Sequence, residues 1–508
     1  MVFHESPEFD TFRSSFQGDI VLPSDPSYRE AIARWSVLAQ RDAGVVTFPK
    51  DERDVAAAIR FAVDQDLELA IKGGGHSTSS ASSTNGGLVI DLSKYLRAVK
   101  VDPATRVAYV GGGALWKDVD EKAMEHGLAT VGGTVNHRRG STRIDTEHRL
   151  EASCEKILRM ELGARSTEQA LALGGGFGYL SGEHGMVVDN IVGATVVLSN
   201  GNVVHCSKAE NEDLFWAIRG AGCNFGVVTQ FELQCYPQRP TVFCGLLLFS
   251  PDKLQAVYKE LDKWEERGID PRAMIQSFCF AGADGPRVAV VAFYNGSEVE
   301  GRKYFNFMVD VGPIKDTLAE RPYPEVNELI NPLTEHGHCV YHTGTTRVRP
   351  TSETIVQTFD LQSKNLEMYP RVGFGELIFI FMNLDVVDSK GLAHASADRS
   401  AWHRMVIVEI KWDAHEPGKG EEQEEDLIPR ARTFARGLID TIRHGSVDPD
   451  DHGYANNEAD VQTGETKVKR LFGDAYPRLQ KIKAKYDPNM VFNKWFPIVP
   501  DEHVRVHE

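Results

Sequence analysis

Glycine is concentrated in four short segments in the first half of the chain, and this pattern limits what the chain can fold into. The segments are Gly73-Gly-Gly-His76, Gly111-Gly-Gly113, Gly174-Gly-Gly-Phe-Gly178 and Gly220-Ala-Gly-Cys-Asn-Phe-Gly226. Because glycine lacks a Cβ atom, such segments let a ligand approach the backbone and can point several N–H groups at an anion. Loops alone would spread glycine more evenly. The recurrence therefore indicates close contacts with one extended ligand that contains a pyrophosphate group, with His76 placed to touch it.

Two common nucleotide-binding patterns fit these glycines less well. A Rossmann site requires G-x-G-x-x-G between a strand and a helix, with an acidic residue about 20 positions later. Neither Gly73 nor Gly174 opens such an arrangement, and the chain contains no Walker A sequence. A nicotinamide-dependent Rossmann enzyme is thus the weaker alternative.

Composition and charge restrict which kinds of partner the protein is expected to bind. A chain of 508 residues is expected to form two or more domains. The formal net charge of −17 and the lack of a Lys/Arg tract argue against nucleic-acid binding. The sequence contains no stretch of about 18 apolar residues, which is the length needed to span a membrane. The seven cysteines are odd in number and scattered, which favours a reducing compartment. We therefore predict a cytoplasmic protein without a membrane or nucleic-acid partner.

The order of apolar patterns predicts two regions of different character. Up to about Pro237, short strands alternate with helices; Leu67 to Lys72 is a predicted strand that leads into the first glycine segment. From Val242 to about Trp412, runs such as Leu377-Ile-Phe-Ile-Phe-Met alternate with amphipathic helices such as Leu254 to Arg267. This second pattern predicts an antiparallel sheet that helices cover on one face.

The motifs and their order resemble those of the vanillyl-alcohol-oxidase-like, PCMH-type FAD-linked oxidoreductases. The resemblance rests on Lys72-Gly-Gly-Gly-His76-Ser, Gly86-Gly-Leu-Val-Ile-Asp-Leu-Ser, Gly174-Gly-Gly-Phe-Gly-Tyr-Leu-Ser, Asp189-Asn-Ile-Val and Trp216-Ala-Ile-Arg-Gly-Ala-Gly. The closing segment, with Tyr454-Ala-Asn456 and Tyr486-Asp-Pro-Asn-Met-Val-Phe492, resembles the berberine-bridge-enzyme subgroup. The resemblance implies an α+β fold with an FAD-binding domain over 1–238, a substrate domain over 239–446, and a C-terminal segment over 447–508 that returns to the first domain.

The resemblance also assigns cofactor-binding residues. His76 matches the histidine that bonds covalently to the 8α-methyl of FAD, and such a bond makes the flavin a better hydride acceptor. A second bond, to a cysteine, is not expected, because Val131 to His137 contains none. The glycine segments are implied at the pyrophosphate, Asn190 and Val192 at the adenine side, and the C-terminal segment at the isoalloxazine ring. The implied residues besides His76 are Gly73, Gly74, Gly75, Ser77, Gly174, Gly175, Gly176, Gly178, Asn190, Val192, Tyr454 and Asn456.

The implied chemistry is a two-electron oxidation of an alcohol, an amine or a sugar-like small molecule. A substrate carbon gives a hydride to flavin N5, a base takes a proton, and O2 reoxidises the flavin. Candidates for the base come from the second domain: Asp398, which precedes Ser400-Ala-Trp-His-Arg404, then Glu376, Tyr341 and Glu409. No metal site is expected, because His336-Gly-His338-Cys339 lacks the separated second half of a zinc site.

One segment departs from the family pattern. Between His137 and Leu173 the family has a short glycine-rich turn, whereas this chain carries an insertion, about 138–169, that is rich in arginine and glutamate. It should weaken cofactor binding, because it removes N–H groups that would face the phosphates. Three explanations are open: a lid or interaction loop, an error in the coding prediction, or an inactivated copy. The alternative function is accordingly an inactive or weakly flavin-binding relative.

Overall fold

The computed structural model of the chain describes residues 6–75, 77–134, 172–281, 286–330, 337–368, 374–389, 394–395, 404–413, 424–444 and 464–502. Seven of these ranges contain the strands of the three main sheets, and the last range contains the C-terminal helices. His76, the predicted insertion, Asp398, Tyr454 and Asn456 lie outside the described residues.

The first sheet is small and mixed. Its strands lie in the order Asp19–Val21, Val45–Phe48, Leu88–Asp91 and Leu69–Lys72, and the last three are parallel. The helix Glu52–Asp64 begins where the Asp51 carboxylate accepts from the N–H groups of Arg53 and Asp54. Its apolar stripe of Val55, Ile59 and Ala62 is buried against the sheet. The other helices here are Pro7–Ser15 and Tyr28–Ala31.

The second sheet is antiparallel and has five strands. Their order is Val99–Asp102, Val107–Gly111, Val227–Gln234, Ile191–Val197 and Val203–Ser207. Its helices are Trp116–Met124, Ser181–His184 and Glu212–Ala221, and a short ribbon pairs Leu128–Ala129 with Tyr236–Pro237. The Glu212–Ala221 helix is kinked at Gly220, whose φ of 128° lies in the left-handed region that favours glycine.

The third sheet is antiparallel and has eight strands. In spatial order these are Lys315–Asp316, Thr241–Phe249, Arg287–Tyr294, Ala273–Ala281, Phe374–Met382, Arg404–Asp413 and His338–Val348, and Ala319–Pro322 also pairs with Thr241–Phe249. Its helices are Leu254–Glu266, Glu298–Val309, Ser352–Met368, Asp385–Ser389 and Glu424–His444.

The two faces of this third sheet pack against different parts of the protein. Side chains alternate between the faces along each strand. On one face, Phe379, Val408 and Ile410 pack under helical residues such as Leu438 and Ile439. On the other face, which we call the inner face, Phe278, Phe280, Ile378, Met405 and Ile407 share one buried cluster with Tyr179, Leu180 and Val187 from the second-sheet region. The predicted antiparallel sheet with helices on one face is confirmed, and its inner face meets the glycine-rich half of the chain.

The C-terminal helices Glu465–Phe472 and Tyr476–Tyr486 pack on the second-sheet region. Lys483 is fully buried, and its ammonium group donates to the Asp487 carboxylate at 2.6 Å and to the carbonyls of Asn224 and Phe492 at 2.7 and 2.8 Å. Asn224 lies in the fourth glycine segment, and its side chain also bonds the Trp495 carbonyl. The end of the chain is thus tied to a glycine segment by buried polar bonds.

Within the described ranges, no helix combines the length and the apolar character needed to cross a bilayer. The six cysteines in those ranges form no disulfide.

Candidate functional site

The first glycine segment lies at the end of the strand Leu69–Lys72, above two cationic side chains. Gly75 has a φ of 80°, and a Cβ atom there would lie 2.9 Å from Lys72 Cε and 3.5 Å from Arg34 Cδ. Lys72 is held by an ion pair with Asp91 at 2.5 Å, which follows from the parallel register that sets these residues side by side. The close packing and the left-handed backbone explain why glycine occupies position 75.

The third glycine segment, Gly174 to Gly178, folds back on itself. Gly175 and Gly176 have φ values of 141° and 91°. Their carbonyls accept from Val188 and Val187, at 3.0 and 2.9 Å. These bonds fix the segment against the turn Val187–Asn190.

Gly178 makes the closest backbone contact in this region. A Cβ atom at position 178 would lie 1.7 Å from the carbonyl oxygen of Gly132. The Gly178 N–H donates to Ser181 Oγ at 3.0 Å. A side chain at 178 would therefore separate two adjacent backbone segments.

The residues predicted at the adenine side take different positions. Asn190 is buried, its amide donates to the carbonyls of His184 and Met186, and its carbonyl oxygen accepts from Tyr236 Oη at 2.7 Å. Val192 is 36% exposed on the strand Ile191–Val197. Asn190 thus shapes the turn with its side chain, and Val192 offers an apolar surface.

A buried His–Asp pair joins this turn to the third-sheet region. His394 Nε2 lies 2.5 Å from Asp189 Oδ1, and both side chains are 1% exposed. The other carboxylate oxygen, Oδ2, accepts from the Met186 N–H at 2.7 Å. His394 precedes the predicted base Asp398 by four positions, and Asp189 precedes Asn190. The pair therefore connects the segment that leads to Asp398 with the turn that supports the third glycine segment.

Two glutamates face each other on the inner face of the third sheet. Glu376 pairs directly with Glu409 across adjacent strands, and both are fully buried. Glu376 also pairs with Phe280 on its other side, so all three side chains share the inner face. Lys411 follows Glu409 on the same face, with its Nζ 3.0 Å from Glu409 Oε1. The strand register also places His342 directly opposite Glu409 on its other side, so the two glutamates lie in a row of ionisable residues across three strands.

A strut made of Trp35 and Ser36 connects the first glycine segment to this face. The Trp35 N–H donates to the Gly75 carbonyl at 2.9 Å, and the Trp35 side chain packs on Val340. Ser36 Oγ bonds both the N–H and the carbonyl of Val340, at 3.1 and 3.2 Å. Val340 lies directly opposite Lys411 in the sheet. The strut therefore places the backbone just before His76 near the glutamate pair.

Sequence reasoning missed this strut, because no local pattern distinguishes Trp35 from an ordinary core tryptophan. It also selected Tyr341, which the structure does not bring to the inner face. Tyr341 pairs with Ile410, and both belong to the cluster under the helices. Tyr341 and Glu376 therefore lie on opposite faces of the sheet.

The predicted flanking residue Ser77 contributes a local bond, with its Oγ 2.7 Å from Ser79 Oγ. In the neighbourhood of the rejected zinc motif, His338 is half-exposed and pairs with Asp413, whereas Cys339 is buried under the helices. Among the described residues, no group of three His, Cys, Asp or Glu side chains could hold a metal ion.

Several buried polar atoms around the inner face have no hydrogen-bond partner among the described residues. They include the Tyr179 hydroxyl, Gln276 Oε1 and both carboxylate oxygens of Glu409. Burial raises the pKa of Tyr179 far above its ordinary value, so this hydroxyl remains protonated and can donate. Buried polar atoms are normally paired. Together with the left-handed glycines and their close backbone contacts, these atoms fit a region built around an extended, polar bound molecule.

The fold is that of several solved oxidases. It superposes on 6-hydroxy-D-nicotine oxidase from Arthrobacter nicotinovorans with a TM-score of 0.78, at 24% identity, over 96% of this chain and 98% of the other. Chitooligosaccharide oxidase superposes with a TM-score of 0.78, at 19% identity, over 97% of this chain and 100% of the other. The predicted α+β, PCMH-type fold is confirmed.

Sequence comparison defines the family. Residues 43–144 match the FAD binding domain model, and residues 454–497 match the model described as berberine and berberine like. The FAD-linked oxidoreductase pgmH of Aspergillus terreus is 30% identical over 527 residues, which cover 98% of this chain and 96% of the relative. The (R)-6-hydroxynicotine oxidase of Paenarthrobacter nicotinovorans is 27% identical over 96% of this chain and 98% of the relative. The chain belongs to the FAD-linked oxidoreductases, as the resemblance predicted, and FAD is its cofactor.

Proposed function

We propose that the protein oxidises a small organic molecule by two electrons, using FAD bound covalently through His76, with O2 as the electron acceptor. The observation that carries this proposal is the Trp35–Ser36 strut. It joins the glycine segment that ends at His76 to the sheet face that holds Glu376 and Glu409. An alcohol, an amine or a sugar-like molecule is the proposed substrate class.

The two glycine segments would hold the anionic part of the cofactor. Gly73 to Gly75 with Ser77, and Gly174 to Gly178, offer close backbone approach, and the buried Arg34 beneath Gly75 adds positive charge. Asn190 and Val192 would border the adenine, and Tyr454 and Asn456 the isoalloxazine ring. When bound, FAD supplies an acceptor for the hydride of a substrate carbon.

The protein's own part in the reaction is to orient the substrate and take a proton. Glu376 and Glu409 can accept one, because they lie on the inner face and are isolated from water. Asp398 stays a second proposal for the base, and the His394–Asp189 pair would hold the segment that leads to it.

The names of similar proteins support an oxidase activity for this chain. Those proteins act on several different classes of substrate. They include a hydroxynicotine oxidase and oxidases of chitooligosaccharide and glucooligosaccharide. One of these, the glucooligosaccharide oxidase from Acremonium strictum, is described with a 6-S-cysteinyl, 8α-N1-histidyl FAD. For this chain we propose the histidyl bond alone, since Val131 to His137 lacks cysteine.

The test is a flavin spectrum of the purified protein before and after acid precipitation. The proposal predicts a yellow protein whose colour stays with the precipitate. His76→Ala should release the flavin on precipitation, and His205→Ala, at a partly exposed histidine of the second sheet, serves as the control that keeps it. A colourless protein that takes up no added FAD would contradict the proposal.

The alternative of an inactive relative makes a separate prediction. If the segment 138–169 blocks the cofactor, its replacement by a short glycine turn should raise the flavin content. An unchanged flavin content after this replacement would count against a blocked site. Sequencing of the transcript separates a genuine insertion from a coding error.

We also propose a cytoplasmic location. The six described cysteines form no disulfide, and five of them are buried. This arrangement suits a reducing compartment. Fractionation of the source cells tests the proposal.

A further inference from the structure

A pocket on the outside of the third-sheet region lies away from the inner face, and we call it the helix pocket. It is bordered by the helices Leu254–Glu266 and Glu298–Val309 and has a volume of about 530 Å³. Small-molecule sites commonly have volumes of about 300–1,000 Å³. Two lining residues, Trp264 and Tyr294, belong to the cluster under the helices and not to the inner-face cluster. The helix pocket therefore lies on the opposite face of the sheet from the region proposed for FAD and the oxidised substrate.

Four aromatic side chains line the helix pocket in two stacked pairs. The rings of Trp264 and Phe307 have centroids 5.9 Å apart, and those of Tyr294 and Tyr304 have centroids 5.0 Å apart; both pairs are inclined by 29°. Trp264 and Tyr294 are buried, whereas Tyr304 and Phe307 are half-exposed. The half-exposed rings offer an apolar surface on which a flat ring can pack.

The hydroxyl group of Tyr304 can act only as a donor toward a bound molecule. Its oxygen accepts from Trp264 Nε1 at 3.1 Å and from the Asp270 N–H at 2.8 Å. These two bonds use both of its lone pairs. Its own hydrogen has no acceptor among the described residues. Burial raises the pKa of Tyr304, so the hydroxyl keeps this hydrogen at neutral pH.

The two cations of the helix pocket are also free to bind an acceptor. Arg267 and Lys303 line the pocket and are exposed. Arg267 Nε donates to the Lys263 carbonyl at 3.1 Å, which leaves its terminal N–H groups available. Neither cation pairs with a carboxylate in the part of the chain that the structure describes.

The single carboxylate of the helix pocket is already engaged. Glu300 Oε2 accepts from the Ser297 N–H at 2.9 Å and from Ser297 Oγ at 2.6 Å, in the capping box that begins the second helix. Glu300 Oε1 lies 3.6 Å from Arg272 Nη1. The polar groups left for a ligand are therefore donors, two of which are positively charged.

A cationic ligand suits the aromatic rings poorly, although aromatic pockets often bind cations. The guanidinium group of Arg267 lies 5.5 Å from the centre of the Phe307 ring, and that of Arg272 lies 4.8 Å from the centre of the Tyr294 ring. Two ring faces are thus already covered by positive charge, which would repel a further cation.

We propose that the helix pocket binds a small aromatic carboxylate as a second ligand. Its ring packs on Tyr304 and Phe307, and its carboxylate accepts from the Tyr304 hydroxyl and pairs with Lys303 and Arg267. Charge-assisted hydrogen bonds to a carboxylate are stronger than bonds between neutral groups. The site is separate from the proposed FAD region and adds a binding function to the proposed activity.

Three probes of the same shape test the charge of the ligand. They are naphthalene-2-carboxylate, naphthalene-2-carboxamide and naphthalene-2-carboxamidine, which are anionic, neutral and cationic at pH 7.5. Calorimetry on the full chain as purified should show that the carboxylate binds at least about tenfold more tightly than either of the other two. Equal affinities for the three probes, tighter binding of the amidine, or no binding of the carboxylate would overturn the inference.

Variants locate the bound carboxylate. Lys303→Gln and Arg267→Gln should each weaken its binding by about 3- to 10-fold, and the double variant should reduce its affinity to that of the amide. Both residues are exposed, so these changes should leave the fold intact. Lys259→Gln is the matched control, because Lys259 is exposed on the same helix as Trp264 and does not line the pocket. It should change no affinity.

The same measurements separate this inference from the proposed function. Carboxylate binding that the double variant retains would lie elsewhere in the protein and would overturn the inference. Protein that binds no FAD but prefers the carboxylate, and loses this preference in the double variant, would support the inference and contradict the proposed function.

Discussion

Removal of the buried ammonium of Lys483 should open the C-terminal segment and expose the fourth glycine segment. The change is Lys483→Met, which keeps most of the side-chain volume and removes the charge. In the structure this ammonium donates three short hydrogen bonds, to the Asp487 carboxylate and to the carbonyls of Asn224 and Phe492. The side chains of Lys483 and Asp487 are both fully shielded from solvent. Burial lowers the pKa of Lys483, and the opposite charge of Asp487 counteracts this effect.

The expected size of the effect follows from burial. Removing one partner of a buried ion pair costs about 3–5 kcal/mol, because the other charge stays buried. The matched control is Lys485→Met, on the same helix. Lys485 pairs with Asp213 at 2.7 Å, but its side chain is 56% exposed, so its loss should cost no more than about 1 kcal/mol. The two variants should therefore differ by about 3 kcal/mol, which is on the order of a 100-fold difference in local opening.

Hydrogen exchange read by mass spectrometry measures this difference directly. Peptides that cover residues 476–498 and 220–226 should exchange on the order of 100-fold faster in Lys483→Met than in Lys485→Met, while peptides from the third sheet should not change. Asp487→Asn combined with Lys483→Met should recover much of the protection, since no unpaired charge remains. Equal exchange in the two single variants would refute the reasoning.

Three further predictions concern the site and its support. Glu376→Gln should lower kcat by about 100- to 10,000-fold, as expected for a lost proton acceptor, whereas Tyr341→Phe on the opposite face should leave kcat unchanged; equal losses would contradict the assignment of faces. Gly178→Ala should reduce the ratio of flavin to protein, because its Cβ atom would lie 1.7 Å from a carbonyl oxygen, while Gly437→Ala, with nothing within 4 Å, should not. Burial raises the pKa of Asp120 from 3.8 to about 7, so between these pH values the folded protein holds a proton that the unfolded chain has lost. The free energy of unfolding should therefore fall as pH rises across this window, by about 4 kcal/mol at most, and urea titrations of Asp120→Asn should lack this slope.

Much of the fold could be predicted from local patterns. The strand before the first glycine segment is predicted over Leu67 to Lys72, and in the structure it spans Leu69–Lys72. The helix predicted over Leu254 to Arg267 spans Leu254–Glu266. These elements carry their signals within a few neighbouring residues, as apolar periodicity and as flanking glycines.

The arrangement of the site depends on contacts that no local pattern contains. Tyr341 and Glu376 both lie in buried strands, and only the register of pairing decides which of them reaches the inner face. The Trp35–Ser36 strut contacts Val340, 304 positions away from Ser36. Such long-range pairings follow from how the sheets pack, so the sequence alone could not rank the candidate bases.

The central claim is that the glycine segments and His76 hold FAD by a covalent bond beside the inner face. The most direct measurement is the absorbance spectrum of the flavin in the protein fraction after acid denaturation and washing. The account predicts about one flavin per chain retained in the wild-type protein, and flavin lost to the supernatant in His76→Ala. Wild-type protein that binds FAD but releases all of it on denaturation would contradict the covalent bond, and protein that never binds FAD would contradict the site.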